Sequence, residues 1–237
     1  MNRRITDRID DARRRYRLPG LAVAVRQDDR ERFAAGFGHI DPDASRPVSA
    51  DTPFGVASLS KFVTATLIMR LQERGRLLLD DPLSRFYPSL DFASDGSVRL
   101  HHLLSHSAGL PGLPCRYLAR DIEDTDDRSG GSGRTGLAEA VRRRALVPSN
   151  GIVSAAELAD LINRLEFMPL ALPGELLSYS NEGYCLLGGI IEQVARCSFA
   201  HAVRDQVFGP LNLNRSFVGN EGLPTSDELG LPLLREG

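Results

Sequence analysis

Two apolar runs in the first forty residues, "LAVAV" at 21–25 and "ERFAAGFG" at 31–38, flank the polar stretch "QDDR", and nothing later repeats that pattern. The pattern predicts a β-hairpin joined by a polar turn. A two-stranded ribbon alone is marginal in water, so this chain must cover its hairpin with something else. Most of the rest predicts helix. Ile5, Ile9, Ala12 and Tyr16 recur at spacings of four, three and four, one stripe of an amphipathic helix that "RLPG" ends. A long helix is expected from near Ser58 through "FVTATLIMRLQER" to Gly75, a residue suited to the position just past a helix end. "VRLHHLLSHSAGLPG" predicts a short helix closed by Gly109 and Pro111. "SAAELADLINRL" opens with Ser154 and Glu157 at capping-box spacing. "EGYCLLGGIIEQVARC" and "SFAHAVRDQVFGPL" add two more helices, with Gly188 and Gly189 suited to close helix packing. The stretch from Asp121 to Gly136 is acidic and then glycine- and serine-rich, and is expected to be a mobile insertion.

Bulk properties remove several function classes. The 237 residues are 42% hydrophobic, enough for a core, and the net charge of −2 gives no electrostatic reason to expect nucleic acid or an anionic membrane as partner. Basic runs (Arg13 to Arg15, Arg142 to Arg144) alternate with acidic ones, as solvated helix faces do. No stretch reaches transmembrane length, and "MNRRITDRID" lacks an apolar signal core, so the expected location is cytoplasmic, with a periplasmic one left open. Cys115, Cys185 and Cys197 form neither CxxC nor a zinc spacing and are expected as free thiols. His102 and His106 stand at i,i+4 on the expected short helix, but Leu103 occupies the place where HExxH needs its Glu, so no metal is expected.

One residue is singular. Lys and Arg total 29, of which 28 are Arg, which leaves 29 − 28 = 1 lysine, Lys61. Ser58 lies three residues before it, so at the start of a helix the two would share a face one turn apart. A serine hydroxyl is a poor nucleophile until a base takes its proton, and a guanidinium cannot be that base. An amine can, if its surroundings bring its pKa from ~10.4 toward ~7. The free N–H groups of a helix N-terminus would also stabilise an oxyanion there. Ser60 is a rival nucleophile, set aside because adjacent side chains on a helix point apart. A second element is "SYSNEGY", with Tyr179 and Asn181 just before a helix. A phenol can relay protons and an amide can bind a substrate amide, while the structural alternative is a packed tyrosine with Asn181 as the N-cap.

Together these residues resemble the serine β-lactamase and penicillin-binding-protein superfamily, in the branch of class C β-lactamases, D-amino-acid peptidases and esterases. Ser58 and Lys61 match its Ser-x-x-Lys motif, and Tyr179 and Asn181 match the branch's Tyr-x-Asn motif. The context agrees in order: "LPGLAVAV", "DTPFGVASLSK", "GRLLLDDPLSRFYP", "HHLLSHSAGLPG", "LPGELLSYSNEGYCLLGGIIEQV" and "VFGPLNLNRSF". The resemblance implies an α/β fold of the β-lactamase/transpeptidase-like type, an antiparallel sheet flanked by helices plus a mainly helical lobe. The expected organisation is one domain over 1–237, with an α/β part at 1–57 and the helical lobe at about 80–218, and the site between them. It implies that Ser58 is acylated, that Lys61 and Tyr179 share general acid/base work, that Asn181 holds the substrate, and that the Ser58 N–H forms half of an oxyanion hole. No metal or organic cofactor is implied, and the partner is a small-molecule or peptide substrate: a β-lactam, a D-amino-acid peptide or a small ester.

The family's third motif, Lys-Thr-Gly or His-x-Gly on a C-terminal strand, has no match after Asn181. The C-terminal strands are therefore expected to come from a further segment or a second chain, or else the chain is a truncated, non-catalytic binding or regulatory relative.

Overall fold

The hairpin forms where the sequence places it in the computed structural model, which describes residues 2–41, 45–112, 154–165 and 167–219. Strand β1 (Gly20–Gln27) pairs antiparallel with β2 (Arg30–Gly38), from Gly20 opposite Gly38 to Gln27 opposite Arg30. The two loop residues, Asp28 and Asp29, have φ of 52° and 57°, the left-handed pair of a type I′ turn, whose twist matches that of the strands. The register slips between Val25 and Arg26, so Arg32 has no partner across the ladder, as in a β-bulge. Beyond β2 the chain folds back. Ile40 N–H donates to Arg46 O at 2.8 Å and Val48 N–H to Gly38 O at 3.0 Å. Gly36 is required there, because a Cβ would run into the backbone of Val48 and Ser49.

The hairpin belongs to a unit made of 1–60 and 208–237; a second unit spans 61–207. In the first, helix α1 (Asn2–Arg15) forms as expected, but its stripe is only partly covered. Ile9 is half-buried, whereas Ile5 is 38% and Tyr16 71% exposed. Tyr16 still closes the last turn, its N–H donating to Ala12 O at 2.9 Å, before Arg17 turns the chain at a φ of 54°. Asp10 fastens the last turn, accepting from Arg13 Nε at 2.7 Å and Arg14 Nη2 at 2.6 Å, and these bonds hold its carboxyl below the usual range. Among the described residues of this unit, Phe37 and Val48 are the buried apolar side chains.

The second unit carries most of the described core. Helix α2 spans Ser60–Glu73, so it begins two residues later than the sequence suggests, and Ser58 sits instead in a 3₁₀ turn, Ala57–Leu59. Thr64, Leu67, Ile68 and Leu71 form its buried face. At its far end Gly75, with φ 65°, lets Gly75 N–H reach Gln72 O and Arg76 N–H reach Leu71 O, a Schellman closure. The short helix α3 covers only Leu100–Leu104. It does not run on to Gly109 as expected, because His106 takes a left-handed φ of 58° and ends it. His102 and His106 therefore do not share a helix face.

Helices α4 (Ala155–Arg164), α5 (Asn181–Ala195) and α6 (Phe199–Val203) follow, the last continued by a π turn over Arg204–Phe208. Ser154 caps α4, its side chain accepting from Glu157 N–H at 3.1 Å. Leu186, Leu187, Ile190 and Ile191 bury one face of α5. Tyr87 O–H donates to Leu186 O at 3.0 Å, and burial pushes that phenol's pKa far up. The expected mobile insertion at 121–136 and Cys115 lie outside the described residues; Cys185 and Cys197 are free thiols. No helix among the described residues is long and apolar enough to cross a membrane.

The paired glycines of α5 play different parts. A Cβ on Gly189 would collide with the Tyr87 hydroxyl and the Ala155 side chain, whereas one on Gly188 would meet Phe199 at an ordinary 3.9 Å. Alanine is favoured over glycine inside a helix by about 0.5–1 kcal/mol, while overpacking costs about 1–3 kcal/mol. Gly188→Ala is expected to raise the melting temperature and Gly189→Ala to lower it. Thermal unfolding of the two variants checks this, and shifts of the same sign would refute the close approach as the reason for Gly189.

Candidate active site

The first turn of α5 is fixed by Ser180, which is the N-cap. Its Oγ accepts from Gly183 N–H at 3.1 Å and donates to Glu182 Oε2 at 3.0 Å, and both Ser180 and Glu182 are buried. The sequence-based alternative that Asn181 serves as the cap is thereby corrected: Asn181 is the first residue of the helix, and its side chain is turned to other use. Asn181 Oδ1 accepts from Lys61 Nζ at 2.7 Å. The same ammonium lies 4.8 Å from the ring centroid of Tyr179 and 5.5 Å from that of Tyr184. A cation over aromatic faces at such distances gains about 0.5–2 kcal/mol, more as water is excluded.

Lys61 and the pair Tyr179 and Asn181, more than a hundred residues later in sequence, thus meet within one unit. Ser58 lies in the other unit's 3₁₀ turn, exposed, three residues upstream of Lys61. The residue before it is strained: Ala57 has a φ of 45°, a conformation costing a non-glycine residue roughly 1–2 kcal/mol. Ser60, the rival nucleophile, donates its hydroxyl to Ala57 O at 2.7 Å.

Two further residues were not singled out as site residues by sequence. Tyr184 O–H donates to Leu104 O at 2.9 Å, tying α5 to the end of α3, and its phenol is pushed up by burial and then by Tyr179. His106 packs its ring against both tyrosines, with centroids 4.3 Å from Tyr179 and 5.0 Å from Tyr184. Its Nδ1 accepts from Ser180 N–H at 3.2 Å. Burial first, and Lys61 second, hold its imidazole below the ordinary histidine value. The signal for Tyr184 was its place three residues after Asn181, on the same helix face. The sequence marked His106 only as half of an i,i+4 histidine pair considered for a metal, not as a partner of the tyrosines.

A lysine, two tyrosines and an asparagine gathered at a helix start are equipped to move protons and hold a polar substrate. The family model described as beta-lactamase matches residues 5–226. The chain belongs to the beta-lactamase family. It is 31% identical over 209 residues to an esterase of Burkholderia gladioli, covering 86% of this chain and 48% of that protein. Among solved structures, a penicillin-binding protein homologue from Pyrococcus abyssi superposes with a TM-score of 0.76 at 29% identity, covering 97% of this chain and 47% of that one. A D-amino acid amidase from Ochrobactrum anthropi shares the fold with a TM-score of 0.72 at 23% identity, covering 97% and 55%. The chain spans about half the length of these relatives. The fold is β-lactamase/transpeptidase-like, represented among the described residues by a two-stranded antiparallel sheet and several helices.

Because Ser180 sits between Tyr179 and Asn181, its cap sets where both leave the backbone. Ser180→Ala removes the acceptor for Gly183 N–H and the donor to a buried carboxylate. Loss of an N-cap costs about 1–2 kcal/mol, and urea unfolding is expected to show at least that loss; an unchanged midpoint would refute the cap's role.

Proposed function

We propose that the protein is a serine hydrolase that forms an acyl-enzyme through Ser58, on a β-lactam, a D-amino-acid peptide or a small ester. The observation that carries this reading is the 2.7 Å bond from Lys61 to Asn181 with Tyr179 beneath the same ammonium, which joins the halves of two motifs at one amine. The strained backbone of Ala57, immediately before Ser58, adds support for that residue.

In the proposed reaction the Ser58 hydroxyl gives its proton to the Lys61–Tyr179 pair while Oγ bonds to the substrate carbonyl carbon. The Ser58 N–H faces the resulting oxyanion. The intermediate collapses as the C–N or C–O bond breaks, and the pair returns the proton to the leaving amine or alcohol. Asn181 holds the substrate amide or its counterpart. Water then cleaves the acyl-serine ester by the same steps in reverse order. The three substrate classes share an acyl carbon open to attack, and the named relatives span a similar range: an esterase, a penicillin-binding protein homologue and an amidase.

A fluorescent penicillin and an activated ester test this directly. Intact-mass analysis is expected to show an acyl adduct on the wild type and none on Ser58→Ala. Absence of an adduct with every probe would instead favour a non-catalytic binding relative. Lys61→Arg keeps the charge and removes the basicity, so acylation is expected to fall by about 10²–10⁴. Undiminished acylation by that variant, followed by stopped-flow fluorescence, would rule out the amine as base.

A further inference from the structure

We infer that His106, as the neutral imidazole with its proton on Nε2, is the residue that positions Tyr179 for acyl transfer, an inference that rests on the function proposed above. Two amides of the segment leading to α5 point at this one residue. Ser178 N–H donates to His106 O at 2.7 Å, and Ser180 N–H donates to His106 Nδ1 at 3.2 Å. Alternate amides of an extended segment face the same side, so His106 supplies two successive rungs of a ladder, the first a carbonyl and the second an imidazole nitrogen. Tyr179 lies between those rungs, its ring on the imidazole at 4.3 Å with 33° between planes. Tyr184 takes a second side of the ring at 5.0 Å.

The tautomer follows from the donor. A backbone amide can only donate, so Nδ1 must hold a free lone pair, and the remaining ring proton must be on Nε2. His106 is itself anchored. Its left-handed backbone closes α3, with His106 N–H on Leu103 O at 3.2 Å and Ser107 N–H on His102 O at 2.8 Å. Histidine is among the side chains that tolerate this conformation. The same loop receives Leu170 N–H at Gly109 O, Gly174 N–H at Ser107 O and Ser178 Oγ–H at Leu110 O, so the approach to Tyr179 is fastened along its length and His106 makes the last fastening before the phenol.

Protonation would undo this contact. A proton on Nδ1 removes the acceptor for Ser180 N–H and turns two donors toward each other. Among the described residues, Lys61 from α2, Tyr179 from the extended segment and Tyr184 from α5 face the imidazole; none of these three is an anion that would welcome the charge, and Lys61 opposes it. Burial and Lys61 both favour the neutral ring, so the clasp holds at neutral pH and opens on the acid side, below 6.5.

The test compares acylation of Ser58 by a fluorescent penicillin or an activated ester, whichever labels the wild type, in wild type, His106→Phe and His106→Asn between pH 5 and 8. His106→Phe keeps a ring against the tyrosines and loses the acceptor. At pH 7.5 it is expected to lower the first-order acylation rate by about 10²-fold, the cost of a small misplacement, with apparent substrate affinity little changed. His106→Asn keeps tolerance of the left-handed backbone and offers an amide oxygen that does not titrate; it is expected to recover much of the rate and to show a shallower acid-side decline than the wild type, what remains belonging to the Lys61–Tyr179 pair. Nitrogen chemical shifts of the His106 ring at pH 7.5 should show Nε2 protonated and Nδ1 bare. An Nδ1-protonated ring, a His106→Phe rate equal to wild type, or a His106→Asn profile with the wild-type acid limb would each overturn the positioning role. If His106→Phe fails to fold, the His106→Asn profile and the ring tautomer decide. Absence of any wild-type adduct would sink the proposed function itself, whereas an adduct formed equally fast by wild type and His106→Phe would sink only the role of His106.

Discussion

An ammonium held between an amide oxygen and two aromatic faces is the contact around which the described site is organised. Lys61 reaches Asn181 across 120 residues of sequence, and the bond has a defined direction because Asn181 opens a helix. Everything that fixes α5 therefore fixes the lysine's partner: the Ser180 cap at its start, the Tyr87 bond to Leu186, and the close seat of Gly189 against Tyr87 and Ala155. Tyr184 extends the same helix's grip to the end of α3. The apolar core of this unit and its polar site share a scaffold, and a change in helix packing is a change in where an amide oxygen points.

The parts legible in sequence were those governed by local pattern. The hairpin came from two apolar runs and a turn of acidic residues able to take positive φ, and the structure has both features. Gly75, Ser154 and one of the two paired glycines, Gly189 but not Gly188, followed from the chemistry of helix ends and helix contacts. What local pattern could not supply was the point at which a helix yields to a competing backbone demand. The leucines before His106 and the stop signals at Gly109 and Pro111 suggest a longer α3, but the left-handed turn lets the histidine bond to a segment more than seventy positions later, and that distant partner leaves no local trace. Before α2, Ala57 also adopts a conformation its side chain disfavours, and the regular helix begins only at Ser60.

Of the candidate site, Lys61 was legible as the single lysine with a serine three residues before it, and Tyr179 and Asn181 because their spacing and context matched a family motif. Asn181 shows the limit of that logic. Its type fits an N-cap as well as a substrate-binding amide, and only the coordinates show that Ser180 took the capping role and left the amide to the lysine. Tyr184 is ordinary in sequence and His106 stands out there only as one of an i,i+4 histidine pair; the place of both beside the lysine arises from the faces they turn toward one another.

A chain with one lysine, enclosed by two aromatic rings, carries a built-in spectroscopic reporter. Reductive methylation with an isotopically enriched reagent would place a single side-chain resonance there, apart from the α-amino group. The ring currents of Tyr179 and Tyr184 would displace that resonance from the value of a freely hydrated methylamine, so the electronic surroundings of the amine become observable without any substrate.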